Sequence, residues 1–435
     1  MNKLIFCACL LLLLSCNKKS VTNSPREIDQ LAEAYVRLAL VIGQYDASFV
    51  DAYYGPDSLK PTTPPARVFP KDSLLIAVQS LKAEVDKIFK VDSTGVQANR
   101  AGWISDQLIS FDRRIKVFSG EYGSFDEESK DLFGTSAPVF DEKHYQELAG
   151  QLNSLLPGTG TVSSRFQALA NRFIIPKNKL DTVFKAAIAE CRKRTLQHYA
   201  LPPTEDFKLE FVTDKSWSGY NWYKGNFQSV IQINTDINIF IDRAIDVGSH
   251  ESYPGHHVYN MLLEKNLFHD QGLLEISVYP LYSPQSLIAE GSANYGIDVV
   301  FPGNEKATFA REVLLPLAGL DTTGIALYFT VLQTKSKLNY VRNEVARGLF
   351  SGTMNEEEAL RWLQEYGLQN KETAAKSISF IRGQRSYVIN YNYGADLVVQ
   401  YIERMGGTSP EDRWRVFEKL LSNQIRIKDL KSNSN

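Results

Sequence analysis

The chain has 435 residues, with 48 Lys+Arg against 50 Asp+Glu and a formal net charge of −2. A near-neutral chain with no basic run or stripe excludes a nucleic-acid-binding surface. It holds no Walker loop and no G-x-S-x-G elbow, so nucleotide-driven and serine-hydrolase chemistry lack their usual signals.

At the N-terminus, Lys3 precedes an apolar run from Leu4 to Leu14, too short to remain as a membrane-spanning helix. This predicts a signal peptide over 1–15. The run ends in Leu13-Leu14-Ser15-Cys16, which resembles the lipobox of bacterial lipoproteins, where the cysteine carries the lipid. The alternative is a plain secretory cleavage site followed by an incidental cysteine. The lipobox reading places the protein in the bacterial cell envelope, periplasmic or surface-exposed, anchored to the membrane through lipid on Cys16. Residues 16–25 then form a polar tether. Cys7 and Cys9 leave with the leader, and Cys191 alone remains inside the fold, which excludes a disulfide framework.

The next stretch, 26–200, reads as an N-terminal helical lobe. Leu31, Tyr35, Leu38, Ile42 and Tyr45 recur in alternating steps of three and four, placing one stripe against a core. Pro61, Pro64, Pro65 and Pro70 break the chain into a loop. Helical spacing resumes at Leu74, Val78, Leu81, Val85 and Ile88, and again at Ile104, Leu108, Phe111, Ile115 and Phe118. These are packing faces. His144 and His198 have no carboxylate at ligand spacing and are expected to be surface or core residues.

A second lobe, 201–430, opens with a change of period. Phe207, Leu209 and Phe211 alternate as a strand does, and Phe227 to Asn234 is a second β-like run after the aromatic segment Trp217 to Tyr223. By analogy with zinc peptidases, Ser229 to Asn234 would bind an extended substrate through main-chain hydrogen bonds. Asp236 or Asn238 would cap the helix leading through Ile241 and Ile245 to His250. The expected fold is mainly α: a large helical zincin-like domain with a small β-hairpin or sheet just before the metal-binding helix.

That helix carries the most informative stretch, His250-Glu251-Ser252-Tyr253-Pro254-Gly255-His256-His257. Three of the six histidines of the chain fall in these eight residues. In the zinc-hydrolase pattern H-E-x-x-H, two imidazoles one helical turn apart bind the ion and the glutamate activates its water. Here Pro254 and Gly255 are inserted. In an unbroken helix His256 would point about 120° away from His250, while His257 would share its face about 10.5 Å along the axis. Neither suits Zn–N bonds of about 2.0–2.1 Å. A Pro-Gly bulge would drop His256 into the second ligand slot. His257 remains the alternative ligand, and helix-end histidines of a plain core the bland one.

A third ligand is expected from Glu290 in Ser286-Leu287-Ile288-Ala289-Glu290-Gly291-Ser292-Ala293-Asn294-Tyr295, because a carboxylate among apolar residues is costly to bury without a cation. The alternative is a surface glutamate. Gly291 and Ala293 would allow close approach of another helix. Asn294, or Asp246 one turn before His250, would orient a ligand. A long helix follows around Leu327 to Val345. Further on, Arg385, Tyr387 and Tyr391 carry donors that suit a substrate carboxylate or an oxyanion. A tyrosine-rich packing helix with solvated arginines is the alternative there.

The segments H-E-x-Y-P-G-H-H and, from Ser283 to Gly296, S-P-Q-S-L-I-A-E-G-S-A-N-Y-G resemble the bacterial family called domain of unknown function 885. The likeness extends to Phe49-Val50-Asp51-Ala52-Tyr53-Tyr54-Gly55-Pro56 and to Arg385-Ser386-Tyr387, and so to nearly all of the mature chain. Asn294 stands where many members carry an aliphatic residue. The resemblance implies a gluzincin-like zinc peptidase with His250, His256 and Glu290 on Zn2+ and Glu251 as general base. Tyr387 or Arg385 would stabilise the oxyanion. The expected reaction is hydrolysis of short peptides, with a non-catalytic binding lipoprotein, or a metallohydrolase of a non-peptide amide or ester, as the alternatives.

Overall fold

Amphipathic periodicity accounts for the first half of the chain in the computed structural model, which describes residues 25–91 and 95–431. The leader 1–15, Cys16 and the tether as far as residue 24 lie outside the described residues. Helix α1 (Pro25–Gly43) buries Ile28, Ala32, Tyr35, Ala39 and Ile42, with Leu31 and Leu38 half-buried beside them. The closest line of contact is thus shifted from the leucine stripe towards the alanines, whose small side chains bring the backbone nearer the core. Helices α2 (Lys71–Val91) and α3 (Val96–Phe118) bury the expected Leu74, Val78, Val85 and Ile88, and Ile104, Leu108, Phe111 and Ile115. Phe111 holds the layers together, with Tyr35 at 5.2 Å and Phe49 at 4.8 Å between ring centroids.

Helices α4 (Phe125–Phe133), α5 (Glu142–Leu155), α6 (Val162–Ala170) and α7 (Leu180–Thr195) complete this half. A reciprocal Ser124–Glu127 capping box starts α4, and Asp141 and Thr161 cap α5 and α6. His144 and His198 serve packing: they stack on Phe140 at 4.3 Å and on Trp414 at 4.4 Å. No helix among the described residues is long and apolar enough to cross a membrane.

The expected sheet is present, with one more strand than the alternation predicted. Strands β2 (Asp206–Val212) and β4 (Gln228–Asn234) run parallel, and the aromatic segment contributes β3 (Gly219–Gly225), antiparallel to β4. The order is β2-β4-β3. Ser229 to Asn234, expected to bind substrate, therefore lies on the central strand, with its main-chain groups paired on both sides. The outer strands are β2 and β3, and it is β3 whose residues Gly219, Tyr220 and Asn221 line a cavity. At the β3–β4 turn Asn226 and Phe227 adopt positive φ, and both of their N–H groups donate to the buried Glu264 carboxylate. Short strand β1 (Val50–Tyr53) pairs antiparallel with β5 (Val278–Pro280) and sets Asp51 beside the sheet.

Pro254 and Gly255 end one helix and start another, instead of forming a bulge. Helix α8 spans Ile241–Glu251 and α9 spans His256–Leu263. Phe240 stands at the α8 N-cap without a side-chain cap, and Asp236 instead accepts from the Asp214 N–H at 3.1 Å. The φ of Gly255 is an ordinary −78°, so the demand for glycine is one of space: a Cβ would sit 1.9 Å from the His250 carbonyl oxygen. Helix α10 (Pro284–Val300) packs along the Ile389–Arg404 helix at a glycine crossing. A Cβ on Gly291 would come within 2.4 Å of the Gly394 oxygen, and one on Gly394 within 2.8 Å of the Leu287 oxygen. The long helix expected around Leu327 to Val345 is two helices, Ile325–Ser336 and Val341–Ser351, joined by the tight turn Lys337–Tyr340.

The glycine crossing yields a stability test. Gly291→Ala should cost about 1–3 kcal/mol by overpacking, whereas Gly383→Ala, exposed near a helix end with nothing within 4 Å of the added Cβ, should be neutral or stabilising by up to about 1 kcal/mol. Urea midpoints compare the two, and an unchanged midpoint for Gly291→Ala would show that the helices can separate freely. Glu205 supplies a second test. Burial works to raise its pKa, but hydrogen bonds from His257, Tyr253 and Arg192 more than offset this and hold it near about 2. Because that value lies below the unfolded value of about 4.3, the stability Glu205 contributes is complete above about pH 4.3 and is lost as the pH falls towards 2. The stability gap between wild type and Glu205→Gln should therefore shrink below pH 4; a constant gap between pH 7 and pH 3 would refute the linkage.

Candidate metal centre

Three elements converge on one point. The last turn of α8 presents His250, the first residue of α9 presents His256, and the middle of α10 presents Glu290. Their ligand atoms all lie within 4.8 Å of one another. His250 Nε2 stands 3.1 Å and His256 Nε2 3.6 Å from Glu290 Oε2, and the imidazoles meet edge to face at 4.6 Å between centroids. The donors of a tetrahedral zinc are roughly 3.4 Å apart, so these side chains need only small adjustments to share an ion.

The donor set fits a divalent metal on chemical grounds too. Two imidazoles and a carboxylate suit zinc. Glu290 Oε2 is buried and faces the two imidazole nitrogens, an arrangement that costs free energy unless a cation or a proton is shared among them. Burial works to raise the Glu290 pKa, yet the charges and hydrogen bonds of His256 and His250 outweigh it, and the carboxyl is held well below its ordinary range. Burial lowers the His256 pKa, and Glu290 more than offsets this, so it is raised to about 9.

Each of these groups is held from behind. Tyr387 donates its hydroxyl to Glu290 Oε1 at 2.8 Å, orienting the carboxylate. Asn294 Oδ1 lies 3.0 Å from His250 Nδ1, while its amide donates to the Tyr391 carbonyl at 2.8 Å. This is the orienting role expected of Asn294; Asp246, the other candidate, is buried near Asp242 and Lys306, and burial raises its pKa to about 6. His257 is fully buried with both ring nitrogens engaged, Nδ1 2.8 Å from Ser229 Oγ and Nε2 3.1 Å from Glu205 Oε2. It is a structural link between sheet and helix, and His256 takes the place beside His250.

Glu251 faces the same cavity. It is 5% exposed, its Oε2 is buried without a hydrogen-bond partner, and its backbone carbonyl accepts from Asn221 Nδ2 at 2.7 Å. Burial raises its pKa, while His250 and His256 act in the opposite direction. Asp51 is a third carboxylate at the site, which sequence reasoning did not single out. Tyr220 donates to it, and burial lifts its pKa to about 6. Its only signal was its place in the Phe49–Pro56 segment of the family resemblance.

Arg385 departs from expectation. Its Nε and Nη2 donate to Glu128 at 2.7 and 2.9 Å, and its guanidinium lies 4.2 Å from the ring centroids of both Tyr122 and Phe350. Glu128 is fully buried and would be left unpaired without this partner. Arg385 therefore pins its own turn to α4 and is not among the residues lining the cavity. Tyr391 does line it, its ring 6.5 Å from that of His250.

No family model and no curated protein matches the chain. The solved structures it resembles include a candidate lipoprotein from Colwellia psychrerythraea, with 16% identity, a TM-score of 0.53, and coverage of 83% of this chain and 68% of that one. A candidate lipoprotein of unknown function from Shewanella oneidensis matches with 13% identity, 83% and 72% coverage and a TM-score of 0.49. Metallocarboxypeptidase 1 of Trypanosoma cruzi matches with 11% identity, 91% coverage of both chains and a TM-score of 0.44. At these identities the likeness is one of fold, and the chain shares with the Colwellia protein a predominantly helical architecture.

Proposed function

We propose that the protein is a zinc-dependent hydrolase cleaving peptide bonds in short peptides. The observation that carries the reading is the convergence of His250, His256 and Glu290 on one point beside the unpartnered buried carboxylate oxygen of Glu251. Zinc held there would supply Lewis acidity for a substrate carbonyl and for a water. Glu251, with its pKa raised by burial, is suited to take the proton of the attacking water and deliver it to the leaving amine. Tyr387 is committed to Glu290 and acts as a positioning residue, which leaves Tyr391 as the hydroxyl available to a developing oxyanion.

Substrate binding falls to β3. The Ser218 carbonyl accepts from the Asn234 N–H at 2.9 Å, so alternate residues Gly219 and Asn221 direct their main-chain groups away from β4. An extended peptide added to that edge runs past Glu251: a Cβ on Gly219 would lie 2.9 Å from Glu251 Oε1. The cavity, about 1060 Å³, has room for a few residues. The lipobox at Cys16 supports anchoring of this enzyme in the cell envelope.

Two measurements test the reading. The purified chain should contain about one zinc per molecule and Glu290→Ala much less; equal, low zinc in both would sink the metal site. Glu251→Gln should keep the zinc yet lose about 10²–10⁴-fold in turnover on quenched peptides. Unchanged function in Glu251→Gln would favour a binding lipoprotein, and chelator-sensitive turnover confined to non-peptide amides or esters would favour the third reading.

A further inference from the structure

Away from the metal cluster, the same cavity is lined by basic side chains that make no ion pair among the described residues, although Asp242, Asp246, Asp298 and Asp396 also line it. Arg342, at the start of the Val341–Ser351 helix, lines it half-buried and makes no ion pair or hydrogen bond among the described residues. Lys335, from the preceding helix, also lines it without an ion pair, its ammonium 5.5 Å from the centroid of the Phe166 ring. Arg243, one face of α8 away from Glu251, has one contact, a 3.4 Å hydrogen bond to Ser218 Oγ. The three feel one another: burial first, then Arg342, hold the Lys335 pKa down to about 8, and Arg342 is itself lowered by burial with Arg243 adding to the effect. The nearby acids do not neutralise them at contact distance. Asp242 accepts from Tyr328 OH at 2.7 Å, and Lys306 pairs with Asp298 at 2.7 Å.

Other half-buried or buried arginines find an acceptor: Arg165, Arg404 and Arg413 donate to main-chain carbonyls, and others meet carboxylates. Arg100, Arg114, Arg347, Arg385 and Arg426 each meet a carboxylate at 2.8 Å or less. Partly desolvated cations without a counter-ion lower stability. We infer that Arg342, with Arg243 and Lys335 behind it, is the recognition site for a substrate carboxylate, held within the cavity that also contains His250, His256, Glu290 and Glu251. Arg342 offers the planar fork that accepts a carboxylate in two hydrogen bonds. Arg342 and Tyr391 line the same cavity, and the Tyr391 ring lies 6.5 Å from that of His250, so a carboxylate anchored at Arg342 shares one cavity with the metal point. The carboxylate is either the C-terminus of the peptide or an acidic side chain. This inference rests on the peptidase reading, deepening it by specifying the charge of the substrate.

The test uses binding, so that it stands apart from turnover. Zinc-loaded Glu251→Gln protein is titrated calorimetrically with three N-acetylated tripeptides: Ala-Phe-Ala as free acid, Ala-Phe-Ala as C-terminal amide, and Ala-Glu-Ala as amide. At least one carboxylate-bearing peptide should bind about tenfold or more tightly than the neutral amide. Arg342→Gln in the same background should erase that preference while leaving the neutral peptide's affinity and the zinc content unchanged. Preference for the free acid identifies a C-terminal anchor, and preference for the Glu amide an acidic side-chain pocket. Equal affinity for all three, or a preference that survives both Arg342→Gln and Arg243→Gln, overturns the inference. No hydrolysis of these peptides by the wild-type zinc-loaded protein, with the charge preference intact, would instead count against the peptidase reading.

Discussion

A carboxylate deep among apolar helices has to be met by positive charge, and Glu290 imposes that requirement on the centre of this protein. Its helix is apolar on nearly every side, and its Oε2 faces the two imidazoles. The two imidazoles turned towards it come from separate helices, and the tyrosine behind it from a third segment. The arrangement is coherent if a divalent ion occupies the point where these groups meet. Without an ion, the Glu290 charge offsets burial and raises the His256 pKa to about 9, which favours the protonated imidazole.

Close backbone approach makes this convergence possible. Gly291 and Gly394 let α10 and the Ile389–Arg404 helix touch main chain to main chain, which brings Tyr387 and Tyr391 over Glu290 and His250. Gly255 does the same on the other side, folding the start of α9 back onto the last turn of α8 so that His256 meets His250. Both contacts exclude a methyl group on steric grounds, with no unusual φ involved. His257 anchors the returning chain by bridging Ser229 on the sheet to Glu205, so one histidine of the pair supports the fold and its neighbour faces the metal point.

Charge is distributed unevenly along the cavity. Glu251, Glu290 and Asp51 cluster at one place, and Arg243, Lys335 and Arg342 line another part. Under the proposed reading such separation would give a bound peptide a direction, with its scissile carbonyl at the metal point and a carboxylate at Arg342, although Asp242, Asp246, Asp298 and Asp396 also line the cavity. On the same reading, the outer edge of β3 would hold the backbone between them.

Residue type and spacing by themselves determined the helical class, the strands at Phe207–Phe211 and Phe227–Asn234, and the candidacy of His250, His256, Glu290 and Glu251, because a dense imidazole and carboxylate pattern has few uses in a core. Asn294 and the small residues of α10 were legible for the same reason. Tertiary structure alone decided the rest. Whether Pro254 and Gly255 bulge or break the helix depends on space against the His250 carbonyl, which no periodicity encodes. The run Ser229–Asn234 is central and β3 an outer strand beside the cavity because β2 returns parallel to β4 and takes its other side, a pairing between residues distant in sequence. Arg385 belongs to Glu128, 257 residues away, and Asp51 reaches the site through the pairing of β1 with β5. Long-range partners are chosen by packing, and local sequence carries no record of that choice.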